Sequence, residues 1–501
     1  MKFTKYILFI PLLALLSCSD SFLDRTSSKD INTSSFYKTQ ADAIAAINAA
    51  YNPLQRPKLY NLRMWTTDIM AGNSEVGANP SDSNDGVETK SLANFTTTTD
   101  NAGVLDLWRG PWPGILYCNI VLDRVPSIDM DADLQNRILG EAYFLRATYY
   151  FILVRCFGDV PLITEPYWGD DAENARPSRT PKSVVYDQII SDYSKAIELL
   201  PFRESYTGSD IGRASKGSAA GMLAKVFLTL GKSDNNWNRV VSLCDTIGDW
   251  GYDLNTNYKD NFNPDAENSV ESLFEIQYMT GIEADFWSDD NISAWTTNYM
   301  APRDSPLTTA GWGWNQPTQE FVNSYEAGDL RKDVTIFYNG CPLFDGKEYN
   351  PAYAYKTGYN VRKFVVGKSY MASTYNGSPL NFPVLRYADV LLMKAEALNE
   401  LGHTGDAETP LNLVRHRAGL DPVSGLSKDD FRLKVLHERR MELAFEGDRW
   451  FDLIRINDGQ YGLDFLHSIG KAAATSKHML LPIPLVDCDA NPNLLPNNPG
   501  Y

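Results

Sequence analysis

The sequence has few of the residues that carry catalysis, metal binding or disulfide frameworks. Its 501 residues include only five histidines and six cysteines, and no two cysteines form a C-x-x-C motif. No G-x-G-x-x-G, P-loop, H-E-x-x-H or G-x-S-x-G pattern occurs. His437-Glu438 does not begin a zinc-protease motif, because position 441 is Met. We therefore predict a protein that is not an enzyme and has no resident metal or cofactor.

Positive charge is also scarce. The chain has 46 Lys and Arg residues against 63 Asp and Glu residues, which gives a formal net charge of −17. Proteins that bind nucleic acid need basic surfaces that neutralise phosphates. No basic run offsets the acidity here, so we predict no nucleic-acid partner. The same acidity argues against capture of anionic substrates by broad electrostatic attraction.

Long apolar runs are missing except at residues 7–16, which follow two lysines. Ten residues of helix extend about 15 Å, half of a hydrocarbon core, so this run predicts a signal peptide and not a membrane span. Leu15-Leu-Ser-Cys18 has the form of a lipobox. We predict cleavage of residues 1–17 and acylation of Cys18 by fatty acids such as palmitate. The alternative is an ordinary signal peptide that contains a cysteine.

The five cysteines after Cys18 cannot all pair within the chain, because their number is odd. Cys118, Cys156 and Cys244 fall in apolar helical patterns, so we predict that they are small buried hydrophobic residues. A disulfide framework is not expected in a chain of this length.

Helical periodicity dominates the rest of the sequence and predicts an all-α-dominated fold. The segments with this pattern are about 39–52, 105–125, 133–157, 182–200, 215–231, 236–248, 386–401, 406–418 and 428–456. Two pairs of segments, 215–231 with 236–248 and 386–401 with 406–418, are joined by short turns. Such pairs are typical of tetratricopeptide units. We predict a helical scaffold over about 36–250 and 383–456.

Residues 251–382 differ in character, because Gly, Asn, Asp, Pro, Trp and Tyr are frequent and long helical periods disappear. We predict loops, short strands and one short helix near Thr318–Tyr325. Loop regions of this length are functional or disordered, and the density of aromatic residues argues against disorder. We therefore place the ligand-binding part of the mature chain, 18–501, in this region.

Aromatic residues interleaved with polar ones mark the candidate site. A sugar ring offers a C–H face that packs on an aromatic ring and hydroxyls that need donors and acceptors. The residues that combine these properties, and that we predict to bind ligand, are Trp287, Trp295, Tyr299, Trp312, Trp314 and Asn315. The alternative for each tryptophan is that it packs the loops onto the helical body. Trp108 and Trp112, at spacing four beside apolar neighbours, are predicted to be core residues.

A charged segment near the end of the scaffold suggests a structural ion-pair network. Glu438, Glu442 and Glu446 recur every four residues and would form one acidic row on a helix, where like charges repel. Four nearby arginines are predicted to neutralise the row: Arg439, Arg440, Arg449 and Arg455.

Several motifs together resemble the SusD/RagB family of surface lipoproteins. The most specific are Arg386-Tyr-Ala-Asp389 with Lys394-Ala-Glu-Ala397, then Glu438-Arg-Arg-x-Glu442 and Glu446-Gly-x-Arg-Trp-x-Asp-Leu-x-Arg455. Similar landmarks occur earlier in the chain, at Ala41–Tyr51, Trp108–Asn119 and Arg137–Pro161. The acidic residues just after Cys18, Asp20 and Asp24, also resemble a surface-export signal. The resemblance spans nearly the whole mature chain.

The resemblance implies a SusD-like fold and a lipid-anchored protein exposed at the outer-membrane surface. It would bind oligo- or polysaccharides and deliver them to a SusC-like TonB-dependent transporter. Family members also take ligand contacts from the loop after the second family helix, which here implies Asp68, Asn73 and Asn84. That loop has few aromatic residues here, so a platform of several stacked rings is not expected from it.

Two other functions stay open from the sequence. The same architecture binds oligopeptides in the RagB branch of the family. A surface glycoside hydrolase would need two carboxylates about 5–9 Å apart in the aromatic site. A calcium loop at Asp82–Gly86 is disfavoured against an Asx- and Gly-rich turn, because its Gly is one position early for an EF-hand.

Overall fold

The computed structural model describes residues 37–77, 79, 81, 86–167, 176–281, 284–288, 291–371 and 377–501. The predicted signal peptide, Cys18 and Asn84 lie outside the described residues. Most of the turn at Asp82–Gly86 does so too.

Eighteen α-helices form within the described residues. The first nine are α1 Gln40–Tyr51, α2 Thr67–Met70, α3 Val87–Ala93, α4 Ala102–Arg109, α5 Pro111–Arg124, α6 Ala132–Phe157, α7 Lys182–Leu199, α8 Lys216–Leu230 and α9 Asp234–Asp249. The others are α10 Thr296–Met300, α11 Gln319–Asn323, α12 Arg331–Thr335, α13 Tyr387–Glu400, α14 Thr404–Arg417, α15 Lys428–Glu442, α16 Arg449–Arg455, α17 Gln460–Ser468 and α18 Leu485–Ala490. In this part of the chain, none of the helices has the length and apolarity needed to cross a membrane.

Seven of the nine predicted helical segments agree with the structure to within two residues at each end. The other two are interrupted. The segment 105–125 divides at Gly110, because Pro111 begins α5 and has no N–H to continue α4. The segment 428–456 ends at Glu442 and resumes at Arg449, since Phe445 and Gly447 have φ of 65° and 85°. Such left-handed residues cannot continue a right-handed helix.

Consecutive helices pack against each other in pairs, which confirms the predicted all-α-dominated, tetratricopeptide-type organisation. The pairs are α5 with α6, α6 with α7, α8 with α9, and α13 with α14. Ala395 on α13 and Ala407 on α14 are completely buried in a small core that also includes Phe431 of α15. Small side chains at this contact let the helices approach closely.

The described residues include six short strands, most of them in the loop-rich region. They are β1 Ser74–Val76, β2 Ser272–Ile276, β3 Asn315–Pro317, β4 Ile336–Phe337, β5 Asn360–Val361 and β6 Phe382–Arg386. They pair antiparallel as β1 with β3, β2 with β6, and β4 with β5. The first pair joins the loop after α2 to the segment that follows Trp314. The predicted short helix near Thr318–Tyr325 is confirmed as α11.

Candidate ligand-binding site

The predicted ligand tryptophans converge on one group of rings, which we call the aromatic cluster. Its members are Trp65, Phe286, Trp287, Trp295, Tyr299, Trp312 and Trp314. Tyr299 is central, with its ring centroid 4.8 Å from that of Trp312, 5.2 Å from that of Trp314 and 5.3 Å from that of Phe286. Residues far apart in sequence therefore share one aromatic surface.

Backbone hydrogen bonds fix the segment that carries Trp312 and Trp314 against α10. The N–H groups of Trp312 and Trp314 donate to the carbonyls of Asn298 and Tyr299, each at 2.7 Å. Gly311 is required by this close approach, because an added Cβ would lie 2.4 Å from the carbonyl oxygen of Pro302. The segment is thus held by the main chain and does not depend on ring packing alone.

The cluster exposes two of its tryptophans. Trp287 is 54% exposed, and its backbone N–H donates to Asp285 Oδ1 at 3.0 Å. Trp312 is half-buried. Trp295, Tyr299 and Trp314 are 8%, 4% and 7% exposed. The burial of these last three residues favours the core-packing alternative. They form the buried base on which Trp287 and Trp312 lie.

The polar residues predicted beside the rings do not reach the surface. Asp68, Asn73 and Asn315 are fully buried. Asp68 Oδ2 accepts from the N–H of Gly447 at 2.8 Å, and burial raises the pKa of this carboxyl to about 7. Asn73 Oδ1 accepts from Arg440 Nε at 2.8 Å. The side chains of Asp68 and Asn73 tie α2 and the loop after it to the segment around α15 and α16, so direct ligand contact by these two is not supported.

A polar segment beside the cluster was not anticipated from the sequence. The backbone N–H groups of Lys356 and Thr357 donate to Gln316 Oε1, at 3.1 and 3.3 Å. This places Tyr355, whose side chain is 46% exposed, next to the strand that follows Trp314. Its hydroxyl donates to Asp304. The tyrosine-rich run at 349–359 was the available signal, but the sequence does not show that it folds back onto β3.

A buried charge cluster underlies the loop region. We define it by four cationic and four anionic side chains, each at most 4% exposed: Glu271, Arg331, Lys363, Arg386, Arg417, Glu438, Glu442 and Glu446. Burial alone would raise the pKa of Glu442, but Arg417, Arg386 and Arg331 outweigh it and hold the pKa below its usual range. Burial lowers the pKa of Lys363 to about 8.

The predicted ion-pair network exists, but its assigned partners were wrong. Glu446 lies beyond the end of α15 and is not on one helical row with Glu438. The neighbouring arginines point to other acids: Arg439 pairs with Asp389 and Asp452, Arg440 with Glu320, and Arg455 with Glu396 and Asp452. The three glutamates are instead neutralised by cations from distant segments, which the turn after α15 brings together.

The cysteines of the described residues are structural. Cys118, Cys156, Cys244, Cys341 and Cys488 are free and buried, which confirms the prediction made for the first three. Burial raises the pKa of the Cys156 thiol to about 12, so it stays protonated at neutral pH. Within the described ranges, no group of three or more His, Cys, Asp or Glu side chains could hold a metal ion.

Comparison with known proteins agrees with the fold and the motifs. A model of the SusD family matches residues 270–501, and a model described as starch-binding and associating with the outer membrane matches residues 21–228. SusD-like protein P2 of Formosa agariphila is 30% identical over 528 residues, which cover 100% of both chains.

Solved structures show the same architecture. A laminarin-binding SusD-like protein superposes with a TM-score of 0.78 at 28% identity, covering 93% of this chain and 100% of that one. Surface glycan-binding protein A from Bacteroides thetaiotaomicron, solved in complex with laminarihexaose, superposes with a TM-score of 0.76 at 24% identity, covering 92% of this chain and 100% of that one. With its motifs, helix pairs and full-length relatives in agreement, the chain belongs to the SusD/RagB family and has the SusD-like fold.

Proposed function

We propose that this protein captures oligo- or polysaccharides at the cell surface without cleaving them and delivers them to a SusC-like TonB-dependent transporter. One observation carries the proposal: the aromatic cluster presents an exposed Trp287 and a half-buried Trp312 on a base of buried rings. An indole face of this kind packs against the C–H face of a sugar. The base fixes its orientation before the ligand arrives, which lowers the entropy cost of binding.

The surroundings supply the polar groups that a sugar needs. Tyr355 and Asp304 lie on the segments beside the cluster, and Lys356 pairs with Glu75 at 2.6 Å with both side chains largely exposed. Hydroxyls of a glycan can exchange with such exposed contacts at little cost, because surface ion pairs contribute little to stability. The names of two solved relatives, one binding laminarin and one complexed with laminarihexaose, make β-glucans the first ligands to test.

Isothermal titration calorimetry on a form lacking residues 1–18 tests the proposal. The panel contains laminarihexaose, other plant, microbial and host glycans, and a mixture of oligopeptides. We expect saturable glycan binding that falls at least tenfold in Trp287→Ala or Trp312→Ala. The matched control is Trp250→Ala, which removes a half-buried tryptophan at the end of α9, outside the aromatic cluster. This variant should bind as the parent does.

The other outcomes discriminate between the remaining functions. Binding of peptides alone would assign the protein to oligopeptide uptake, as in the RagB branch. Release of shorter sugars from a bound glycan would contradict the non-enzymatic role. Glycan binding that is unchanged in both tryptophan variants would contradict the proposed site, even if glycan capture itself were correct.

Anchoring and delivery need separate tests. We infer that Cys18 carries the lipid anchor and that the helical scaffold contacts the transporter. Labelling of cells with a fatty-acid analogue should mark the full-length chain and not a Cys18→Ala variant. Copurification of the unmutated chain with a TonB-dependent transporter would support delivery. Recovery of Cys18→Ala in the same membrane fraction as the parent would contradict anchoring through Cys18.

A further inference from the structure

A large cleft lies among the helices, formed by residues outside the aromatic cluster. Its volume is about 810 Å³, within the usual range for small-molecule sites. Residues of α6, α7, α8 and α16 line it together with residues of the C-terminal segment 476–500. Much of the lining is apolar or aromatic, including Tyr186, Leu230, Phe451, Ile454 and Met479. A ligand with an apolar body fits this surface.

Arg155 is the unusual residue of the cleft. It is only 8% exposed, and its guanidinium carbon lies 4.1 Å from the ring centroid of Phe151 and 3.9 Å from that of Phe451. Nε donates to the carbonyl oxygen of Phe151 at 3.3 Å. Among the described residues, no carboxylate pairs with Arg155 and no acceptor contacts its two terminal nitrogens. By contrast, Arg331 and Arg386, which are 0% and 1% exposed, are each paired with several carboxylates.

Burial of most of this guanidinium removes water from it at a cost in free energy, and its two terminal nitrogens, which have no protein acceptor, are left to bond with water or with an anion in the cleft. The two aromatic faces offset part of that cost by cation–π attraction. They also hold the planar group in one orientation. A fork of parallel N–H donors held in this way matches the two oxygens of a carboxylate.

The charges around Arg155 favour the same kind of ligand. Lys182, Lys232 and Lys477 line the cleft, and Asp458 is the one acid among its described lining residues. Asp458 is already paired with Lys232. Lys182 is the first residue of the 18-residue helix α7, whose N-terminal end carries partial positive charge. In a chain of net charge −17, this cleft is a local exception.

We propose that the cleft binds a carboxylate carried on an apolar body, with the carboxylate on Arg155 and the apolar part against Phe451, Tyr186 and Met479. Two kinds of ligand carry such a carboxylate: a free small organic acid, and an apolar peptide through its C-terminus. Neutral glycans lack the charge that the site requires. This site is separate from the glycan site, since the two share no residue.

The test compares acids with neutral isosteres on the full-length chain. 3-Phenylpropionate and 3-phenylpropanamide represent the small acid, and Ala-Leu-Phe with a free or amidated C-terminus represents the peptide. Ligand-observed NMR titration should show that at least one acid binds tenfold or more tightly than its amide. Binding of both acids indicates a small-acid site, and binding of the peptide acid alone indicates a chain terminus.

Variants separate a ligand role from a folding role. Arg155→Met keeps the apolar stem between the two rings and should abolish the preference for acid over amide. Arg155→Lys keeps the charge without the fork and should retain a reduced preference. Trp287→Ala should leave acid binding unchanged. Equal binding of acid and amide by the parent would overturn the proposal. The proposal would also be overturned if Arg155→Met kept the full preference for acid over amide and had an unaltered melting temperature.

Discussion

Arg386 and Glu446 are sixty residues apart in the chain, yet Arg386 donates to both carboxylate oxygens of Glu446, from Nη2 at 2.6 Å and from Nε at 2.9 Å. Bidentate pairs of this kind are among the strongest polar contacts in proteins. Glu446 Oε1 also accepts from Lys363 Nζ at 2.6 Å. The carboxylate of Glu446 thus links Arg386, at the end of β6, to Lys363 in the loop-rich region.

Glu446→Gln should strongly destabilise the fold. The substitution removes the negative charge while Arg386 and Lys363 stay buried, and loss of one partner from a buried pair costs about 3–5 kcal/mol. Urea unfolding measures the change in free energy. Glu198→Gln is the matched control, because Glu198 pairs with Lys195 at the surface, with side chains 61% and 52% exposed. The control should change stability by less than about 1 kcal/mol. Equal effects of the two substitutions would contradict a stabilising role for the cluster.

Asp68 should make stability depend on pH. The pKa of its carboxyl is about 7 in the folded protein, raised by burial, against about 3.9 in an unfolded chain. Between these values the folded state binds more protons, so this group's contribution is full below about pH 4 and is lost as pH rises to about 7. Asp68→Asn keeps an acceptor for Gly447 and cannot titrate. The difference in unfolding free energy between pH 5 and pH 7 should therefore shrink in the variant. An unchanged difference would exclude Asp68 as its source.

Substitution of Trp287 should weaken glycan binding, whereas substitution of Trp314 should lower the stability of the fold. Trp287 is 54% exposed, so Trp287→Ala should weaken glycan binding and leave unfolding within about 1 kcal/mol of the parent. Trp314 is 7% exposed, and Trp314→Ala should cost about 3–5 kcal/mol through the cavity that it leaves. Calorimetry and urea unfolding on both variants give the comparison. A loss of stability in Trp287→Ala as large as that in Trp314→Ala would assign both rings to the core.

Gly311→Ala should weaken glycan binding indirectly, although the residue itself need not contact the ligand. The new Cβ would lie 2.4 Å from Pro302 O and 2.7 Å from Ala301 O, so the backbone that carries Trp312 must move. Such overpacking costs about 1–3 kcal/mol. Gly405→Ala is the matched control, because no atom lies within 4 Å of its added Cβ and Ala favours the helix. Unchanged glycan affinity in Gly311→Ala would show that the position of Trp312 is not critical.

Most helices could be predicted from the sequence because their apolar periods are long and uninterrupted. The gap between α15 and α16 could not, since it depends on a left-handed Phe445, a conformation that its residue type disfavours. That conformation is maintained by surrounding structure: Phe445 packs on Phe321, with centroids 5.2 Å apart. The ion-pair partners of Glu438 and Glu442 could therefore not be predicted from the sequence, because tertiary contacts bring them from distant segments.

The candidate site shows a similar division. Composition identified the segments that form the aromatic cluster, because aromatic residues flanked by Gly and Asn are frequent there. It did not separate exposed rings from buried ones. Trp312 and Trp314 are two residues apart, and only the pairing of β3 with β1 and the hydrogen bonds to α10 decide which ring faces inward. Asp68 and Asn73 were assigned by resemblance, but burial gives both a structural role.

The residues from Phe286 to Trp314 lie between Glu271 and Arg331 in the chain and contribute none of the eight members of the buried charge cluster. Substitutions within this stretch therefore remove none of the charges of that cluster. Exposed positions of this stretch, such as Trp287, can therefore change without the loss of a buried charge, whereas its buried rings, such as Trp314, also stabilise the fold. The exposed positions of this stretch are thus where residues can be exchanged between relatives with the buried charges kept.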